Sequence, residues 1–461
     1  MLNTAATIID PEALRARITG SVVTPADADW DTARQAWNLA ADQRPAAVAI
    51  PRCAEDVVEV VRYAAARGLQ VAPQGTGHNA TAHASLSGTI LLRTHELRGV
   101  EIDAQARVAR AQAGDLWIDV AEPASAFGLA PISGSSPDVG VVGFVTGGGI
   151  GWLSRKLGLS ADSVLAFEVV LADGRVARVD AEHEPELFWA LRGGTGSYAV
   201  ITAVELRLYE TGDLYMGAML FGWERSAEVL HTWRGLCETW PEEITTSARI
   251  LQLPPLPDIP EPLRGGRFVV IDGAVMDMDE AEAAALLAPL RALGPRIDLW
   301  GMQAPVGLSR VHMDPEDPVP AISDTLMLDD VDERAIDELV AVAGPGSGSP
   351  LLMVELRHLG GALARRREGA GALGRLDAGF LYFAGGIPMD ADVVAAIEGQ
   401  FGRVRGALGR LANDRHYPNF QERARDSRLA YDPGVHARLQ GVKAAYDPGD
   451  LVLANHPVRP A

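Results

Sequence analysis

Two cysteines, Cys53 and Cys237, are all that 461 residues provide, too few for a disulfide framework. No run of about 18 apolar residues occurs, so no membrane-spanning helix is expected. The opening stretch, "MLNTAATIIDPEALRARITG", has neither a basic start nor an apolar run before a small-residue cleavage site. No secretory signal is expected, and the cytoplasm is the default compartment. Basic residues are in deficit: 41 Lys and Arg stand against 61 Asp and Glu, a formal net charge of −20, and the longest basic cluster is "ARRRE". A surface of that sign does not displace counterions from phosphates, so nucleic acid is set aside as a partner.

Several catalytic signatures are missing too. Without H-E-x-x-H or paired C-x-x-C there is no basis for a metal site, and none is expected. No Walker loop and no G-x-S-x-G elbow occur, which sets aside nucleotide hydrolysis and serine-hydrolase chemistry. The ten histidines are scattered, with His78 and His83 the only close pair of interest. A composition of 48% hydrophobic and 22% charged residues is that of a soluble globular chain, long enough for two domains.

What is present reads as alternating strands and helices. "AEDVVEVVRYAAARG" (54–68) predicts a helix, with Val57, Val60, Val61 and Ala64 on one face and Gly68 at its C-terminal cap. "LQVA" is a short buried strand running into the loop "PQGTGHNA". "GTILLRT", "GVEID" and "RVARAQAG" predict further strands, and "LWIDVAEPASAFGL" is helical in its first half. "SVLAFEVVLADGRVARVD" is a hairpin turning at Asp173-Gly174. "PELFWALRGG" is a short helix started by Pro185. From 215 to about 411, β–α stretches such as "RFVVIDGAVM" with "DEAEAAALLAPLRAL" predict a separate α+β unit on an antiparallel sheet.

Glycine-rich loops first suggest a dinucleotide fingerprint, G-x-G-x-x-G between strand and helix. Gly75 and Gly77 begin one, but position 80 is Ala and no helical pattern follows. "GGGIGWLSRKLG" has Ser154 in third place, and "GGTGSYA" follows a helix instead of a strand. Three near misses argue against that motif. The clusters "QGTGH" and "SGSSPDVGVVGFVTGGGIG" (133–151) still have the small residues that let backbone amides approach an anionic group. Together they read as two walls of one large cofactor site.

The ordered set "PQGTGHN", "GSSPDVGVVGFVTGGGIGWLSRKLGLSADSV", "PELFWALRGGTGSYAVIT" and "YPNF" near "VKAAYDPGDLVLANH" resembles the FAD-linked oxidases of the berberine bridge enzyme type, in the vanillyl-alcohol oxidase fold group. The resemblance covers roughly 35–209 and 412–461. It implies an α+β fold with a PCMH-type FAD-binding domain of two subdomains, split in sequence: residues 1–209, with 412–461 completing it. An α+β substrate domain on an antiparallel sheet is inserted at 210–411. It also implies FAD bonded covalently through His78, the histidine at the end of the pyrophosphate loop Gln74, Gly75, Thr76, Gly77 and Asn79. Further cofactor contacts are expected from Ser135, Ser136, Val139, Gly140, Gly143, Gly147, Gly148, Gly149, Gly158, Ile201, Tyr417 and Asn419. Many members carry a second attachment through a cysteine where this chain has Ser136, so a single tether is expected. Val139 matches the position that gates oxygen, and a small valine there implies an oxidase.

For acid–base work, strict alternation along "LLMVELRHLGG" puts Met353, Glu355 and Arg357 on one strand face. That face is either a base over the cofactor or a surface salt bridge. Glu355 is expected as the base and Tyr417 as the group orienting substrate. Trp300, His312 and Tyr382 are further candidates for the pocket. The expected activity is an FAD-dependent oxidase of a small secondary-metabolite, polyketide or sugar-like molecule, with O2 as electron acceptor. The alternatives are a dehydrogenase, a flavin-oxygenating monooxygenase, or a non-catalytic flavin-binding protein.

Overall fold

A computed structural model describes residues 9–82, 85–257 and 259–461; His83 lies outside the described residues. The helix predicted at 54–68 spans Ala54–Arg67 and ends on Gly68 in the left-handed region at φ 65°, where glycine meets no Cβ penalty. It crosses from the strand Ala47–Ile50 to the strand Gln70–Gln74, and both pair in parallel with Thr89–Arg93 between them. Ser21–Val23 adds an antiparallel edge, giving a four-stranded sheet. Outside the sheet's other edge, Val71 bridges in parallel to Val452. The Val71 N–H donates to Leu451 O at 2.8 Å, and the Leu453 N–H donates to Val71 O at 2.9 Å.

A second sheet is antiparallel, in the order Val100–Asp103, Val108–Gln112, Val200–Arg207, Val164–Val170, Val176–Asp180. Its last two strands form the hairpin predicted around Asp173-Gly174.

The largest sheet draws its strands from 214–386. Ile297–Asp298 is the edge, followed by Leu214–Gly222, Arg267–Val275, Ile244–Gln252, Met353–His358, Phe380–Gly386 and Ile322–Leu328. Gly301–Gln303 continues that edge, pairing with Leu214–Gly222. All these pairings are antiparallel, as expected from the sequence. Two strands, Ile244–Gln252 and Ile322–Leu328, have no counterpart in the sequence-based reading. The former is a central strand, buried at every residue but its last, so it shows none of the in–out alternation by which a half-exposed strand is found.

Alternation divides the faces of this sheet. Ala248, Ile250, Ile271, Val354, Leu356 and Tyr382 point to a core closed by Val229 and Trp233, Leu287, Ile336 and Phe401 of four covering helices. The residues between them point the other way, into a cavity. Among the described residues, no helix is long and apolar enough to cross a membrane.

Candidate active site

The cavity holds about 960 Å3 and is lined by both glycine-rich segments, by Pro418, Asn419 and Phe420 and by the open face of the large sheet. At one end stands the loop that follows the strand Gln70–Gln74. Gly77 has φ 89°, and a Cβ there would lie 2.8 Å from Ala36 Cβ and 2.9 Å from Gln74 Nε2; only glycine fits. The tight turn presents His78 to the cavity. The Trp37 ring stacks on the imidazole with centroids 4.0 Å apart, and Nδ1 shares a hydrogen bond with Thr76 Oγ1 at 2.7 Å. Nε2 is buried without a hydrogen-bond partner, 3.5 Å from Asp138 Oδ1. Burial works to raise the Asp138 pKa, but the His78 ring, the Ser136 hydroxyl and the Trp37 indole bring it below the ordinary carboxylate range.

The second glycine segment faces this loop. Gly143 has open space where a side chain would stand, and Gly140 meets nothing closer than Thr76 Cγ2 at 3.8 Å. Asn79 Nδ2 donates to Pro418 O at 3.0 Å and Asn419 Nδ2 donates to Phe144 O at 2.9 Å, so three motifs distant in sequence close on one another. Gln74 Nε2, His78 Nε2 and Asn79 Oδ1 are buried polar atoms with no partner. Unmet polar atoms beside an open, glycine-lined trough fit a long cofactor with polar groups along it, held by side chains and backbone amides.

Beneath the sheet lies a chain of buried charges. Ser247, Arg249 and Leu251 face the cavity from one strand, Val270 and Asp272 from its neighbour, and Met353, Glu355 and Arg357 from the next. Arg357 Nε donates to Glu355 Oε1 at 2.9 Å, while Glu355 Oε2 is buried with no partner. Both residues are buried, so this is no surface salt bridge. Burial works against the Arg357 charge, and Glu355 beside it more than restores it. Asp272 is bonded by Arg249, by the Ser247 hydroxyl at 2.5 Å and by His312 Nδ1 at 2.9 Å. Burial opposes its ionisation, yet these partners hold its pKa at about 2. An ionised Asp272 accepts the Nδ1–H of His312 and turns Nε2 toward Glu355 Oε1, 3.8 Å away.

Most of the expected site residues line the cavity: Gln74, Gly75, Thr76, Gly77, His78, Asn79, Ser135, Ser136, Val139, Gly140, Gly143, Gly147, Ile201, Asn419 and Glu355. Four stand behind it. Tyr417 is buried, with its ring edge 3.3 Å from a Cβ built on Gly148, and burial raises its pKa. The turn Pro418–Phe420 sends Asn419 and Phe420 inward and Tyr417 back, behind the cavity wall. Gly148 itself is the close approach that admits Tyr417. Gly149 and Gly158 likewise make room, for Phe144 with Ser160 and for Arg367.

Of the three further candidates, only His312 is in the cavity wall. Tyr382 lies opposite Leu356 and so on the helix-covered face, and Trp300 packs in that same core. Sequence reasoning missed Trp37, Arg249 and Asp272. Arg249 and Asp272 needed the pairing of two strands with no alternation to mark them.

A family profile described as an FAD binding domain matches residues 45–180. (R)-6-Hydroxynicotine oxidase of Paenarthrobacter nicotinovorans is 29% identical over 96% of this chain and 97% of its own length. Glucooligosaccharide oxidase of Sarocladium strictum is 34% identical over 40% of this chain and 38% of its own. Among solved structures, 6-hydroxy-D-nicotine oxidase from Arthrobacter nicotinovorans superposes with a TM-score of 0.82 at 24% identity, covering 96% of this chain and 98% of that one. A glucooligosaccharide oxidase from Acremonium strictum, described as carrying 6-S-cysteinyl, 8α-N1-histidyl FAD, gives 0.81 at 22% identity over 98% and 100%. With the glycine trough, the loop histidine and the sheet-covered cavity in place, this chain carries an FAD binding domain and is similar over nearly its whole length to FAD-linked oxidases.

Proposed function

We propose that this FAD-linked oxidase carries its cofactor on a single covalent bond to His78, takes electrons from a small organic molecule and delivers them to O2. The observation that carries the reading is Glu355: a buried carboxylate with one oxygen pinned by Arg357 and the other bare in the wall of the cofactor cavity. Bound there, FAD supplies the hydride acceptor.

The chain's own residues do the rest. Glu355 Oε2 takes the proton from the heteroatom beside the carbon that loses hydride. Arg357 holds the carboxylate in place, and the His312 ring faces its pinned oxygen. Phe383 and Phe420, packed edge to face at 5.3 Å, line the same space in place of Tyr417. On the cofactor side, the Gln74–Asn79 loop and Gly140–Gly147 cradle the phosphates, with Trp37 fixing the plane of the His78 ring. Ser136 spends its hydroxyl on Asp138 at 2.7 Å and has no thiol to offer a second tether. Val139, in the cavity wall, leaves room for oxygen.

We assign residues 1–209 with 412–461 to the FAD-binding domain and 210–411 to the substrate domain. Two free thiols, Cys53 and Cys237, suit a reducing compartment such as the cytoplasm, and a role in secondary metabolism fits the resemblance.

The test is peroxide. Flavin-loaded enzyme is offered a nicotine-type amine and glucooligosaccharides, the molecules for which its relatives are named, in air. Turnover with stoichiometric peroxide supports the oxidase. Turnover only with an added dye makes it a dehydrogenase, and oxygen incorporated into product makes it a monooxygenase.

A further inference from the structure

We infer that the substrate of this cavity is an amine carried on an apolar body, bound as the ammonium with Glu355 as the acceptor of its proton. The inference rests on the oxidase reading above and narrows it. Its first support is the distribution of charge. Both arginines in the cavity wall have their own carboxylates: Arg249 meets Asp272, and Arg357 meets Glu355. Each guanidinium charge is thus already offset by a carboxylate beside it.

Carboxylate oxygens without a cation partner remain in the same wall. Glu355 is 1% exposed, and its Oε2 has no partner. Asp314 accepts from the Ser135 hydroxyl at 2.9 Å and stands 3.8 Å from the His312 ring, which Asp272 already holds. Asp317, exposed at the mouth, takes part in no ion pair among the described residues, while its neighbour Glu316 is bound by Arg310. Glu422 accepts from the Ser323 hydroxyl, and burial pushes its pKa up to about 7. A carboxylate brought into this space meets an excess of like charge, Asp314, Glu316, Asp317, Glu355 and Glu422 against Arg249 and Arg357. An ammonium meets Asp317 at the mouth and Glu355 at the bottom, where its proton passes from nitrogen to Oε2 and leaves the amine with its lone pair.

The second support is the rest of the wall. At the end of the sheet away from Arg357, the strands turn Leu220, Leu251 and Met353 into the cavity, and the loop after Gln252 adds Leu253, Leu256 and Leu263. Leu256 is 51% exposed at the rim. Six aliphatic side chains offer nothing to the hydroxyls of a sugar, which would lose their water without gaining a partner. They suit an alkyl or aromatic body.

The test is equilibrium binding of four probes to the flavin-loaded enzyme, read by calorimetry: phenylbutylamine, phenylbutanol, phenylbutyrate and cellobiose. The first three share one apolar body and differ in charge. The amine is expected to bind on the order of tenfold more tightly than the alcohol at low salt, as one uncompensated charge across a partly enclosed site requires. The carboxylate and the disaccharide should bind more weakly than the alcohol. Asp314→Asn with Asp317→Asn should cut the amine's advantage over the alcohol to about threefold or less, while Leu253→Asn should weaken amine and alcohol alike. Equal or tighter binding of phenylbutyrate or cellobiose, no preference between amine and alcohol, or no binding of the amine overturns the inference. Flavin content and peroxide are measured separately: a chain without flavin defeats the oxidase reading, whereas a loaded enzyme with the wrong preference defeats this one alone.

Discussion

Arg357 donates its Nε–H to one oxygen of Glu355 at 2.9 Å and leaves the other oxygen of that carboxylate bare in the cavity wall. The pair comes from one strand, two residues apart, so strand geometry alone holds the guanidinium beside the base. Glu355→Gln keeps the shape and the contact to Arg357 but cannot accept a proton. Flavin reduction by substrate should slow by at least ~10-fold, within the usual contribution of a positioned base, with bound flavin unchanged. Tyr417→Phe should leave the rate near wild type, because that hydroxyl lies behind Gly148. Anaerobic stopped-flow on both variants checks the assignment, and a large loss in Tyr417→Phe alone would reverse it.

His78 ends the loop that faces the glycine trough, with its Nε2 unmet. Wild-type protein should keep its yellow colour through acid precipitation and show flavin fluorescence in a denaturing gel. His78→Ala should lose both while still binding FAD reversibly. Peptide mapping should find flavin mass on the His78 peptide and on neither cysteine peptide, if Ser136 is, as the resemblance implies, the residue at the second attachment position.

Val139 lines the cavity beside Gly140. Val139→Leu adds one methylene where oxygen must approach, so reoxidation of the reduced enzyme in air should slow at least ~10-fold, a local blockade of the kind overpacking produces. The measurement is the return of flavin absorbance on mixing with aerated buffer, and an unchanged rate would remove Val139 as the gate.

Asp272 neutralises Arg249 and orders His312 from a position with no solvent access. Asp272→Ala leaves a buried guanidinium without its partner and should cost about 3–5 kcal/mol of stability. Urea unfolding reads this directly; a loss under about 1 kcal/mol would mean that water reaches the cluster.

Glu422 titrates where it can be observed. Its ordinary pKa is 4.5, and burial in the folded chain pushes it up to about 7. The raised value means that the folded state holds its proton longer than the unfolded state does. The associated stability is therefore complete below about pH 4.5, lost as pH rises, and gone above about 7, a loss on the order of 1–3 kcal/mol. Glu422→Gln cannot ionise, so its melting temperature should pull ahead of wild type between those limits and run parallel above them. Curves that stay parallel throughout would show that Glu422 is solvated.

The cofactor half of the site is legible in the sequence because its chemistry is local. A turn such as Gln74–Asn79 specifies itself through glycines next to one another, and His78 is placed by its own neighbours. The substrate half is legible only in part. Glu355 and Arg357 share one strand, so period-2 reasoning reaches their common face. Asp272 and His312 meet across 40 residues, through the register of Arg267–Val275 against Ile244–Gln252, and a strand buried on both faces gives no alternation from which to read that register. Nothing in the sequence fixes the face of the candidate Tyr382 for the same reason: one residue of parity separates it from Phe383, which does line the cavity. Tyr417 stands behind the wall because of a single 3₁₀ turn, which its neighbours in sequence do not announce.

The bridge between Val71 and Val452 fixes an order of assembly. The strand beneath the His78 loop has Thr89–Arg93 on one side within a few seconds of synthesis, but its other side waits for Leu451 and Leu453. A ribosome must therefore deliver the whole large sheet and its helices before that edge is covered. Until then the edge is an open template for other strands, and the loop has no firm support on which to hold a cofactor. Flavin content of a chain stopped before residue 451 would show whether capture waits for that bridge. A chain stopped before residue 451 would keep the means to build the substrate side and lose its grip on the cofactor.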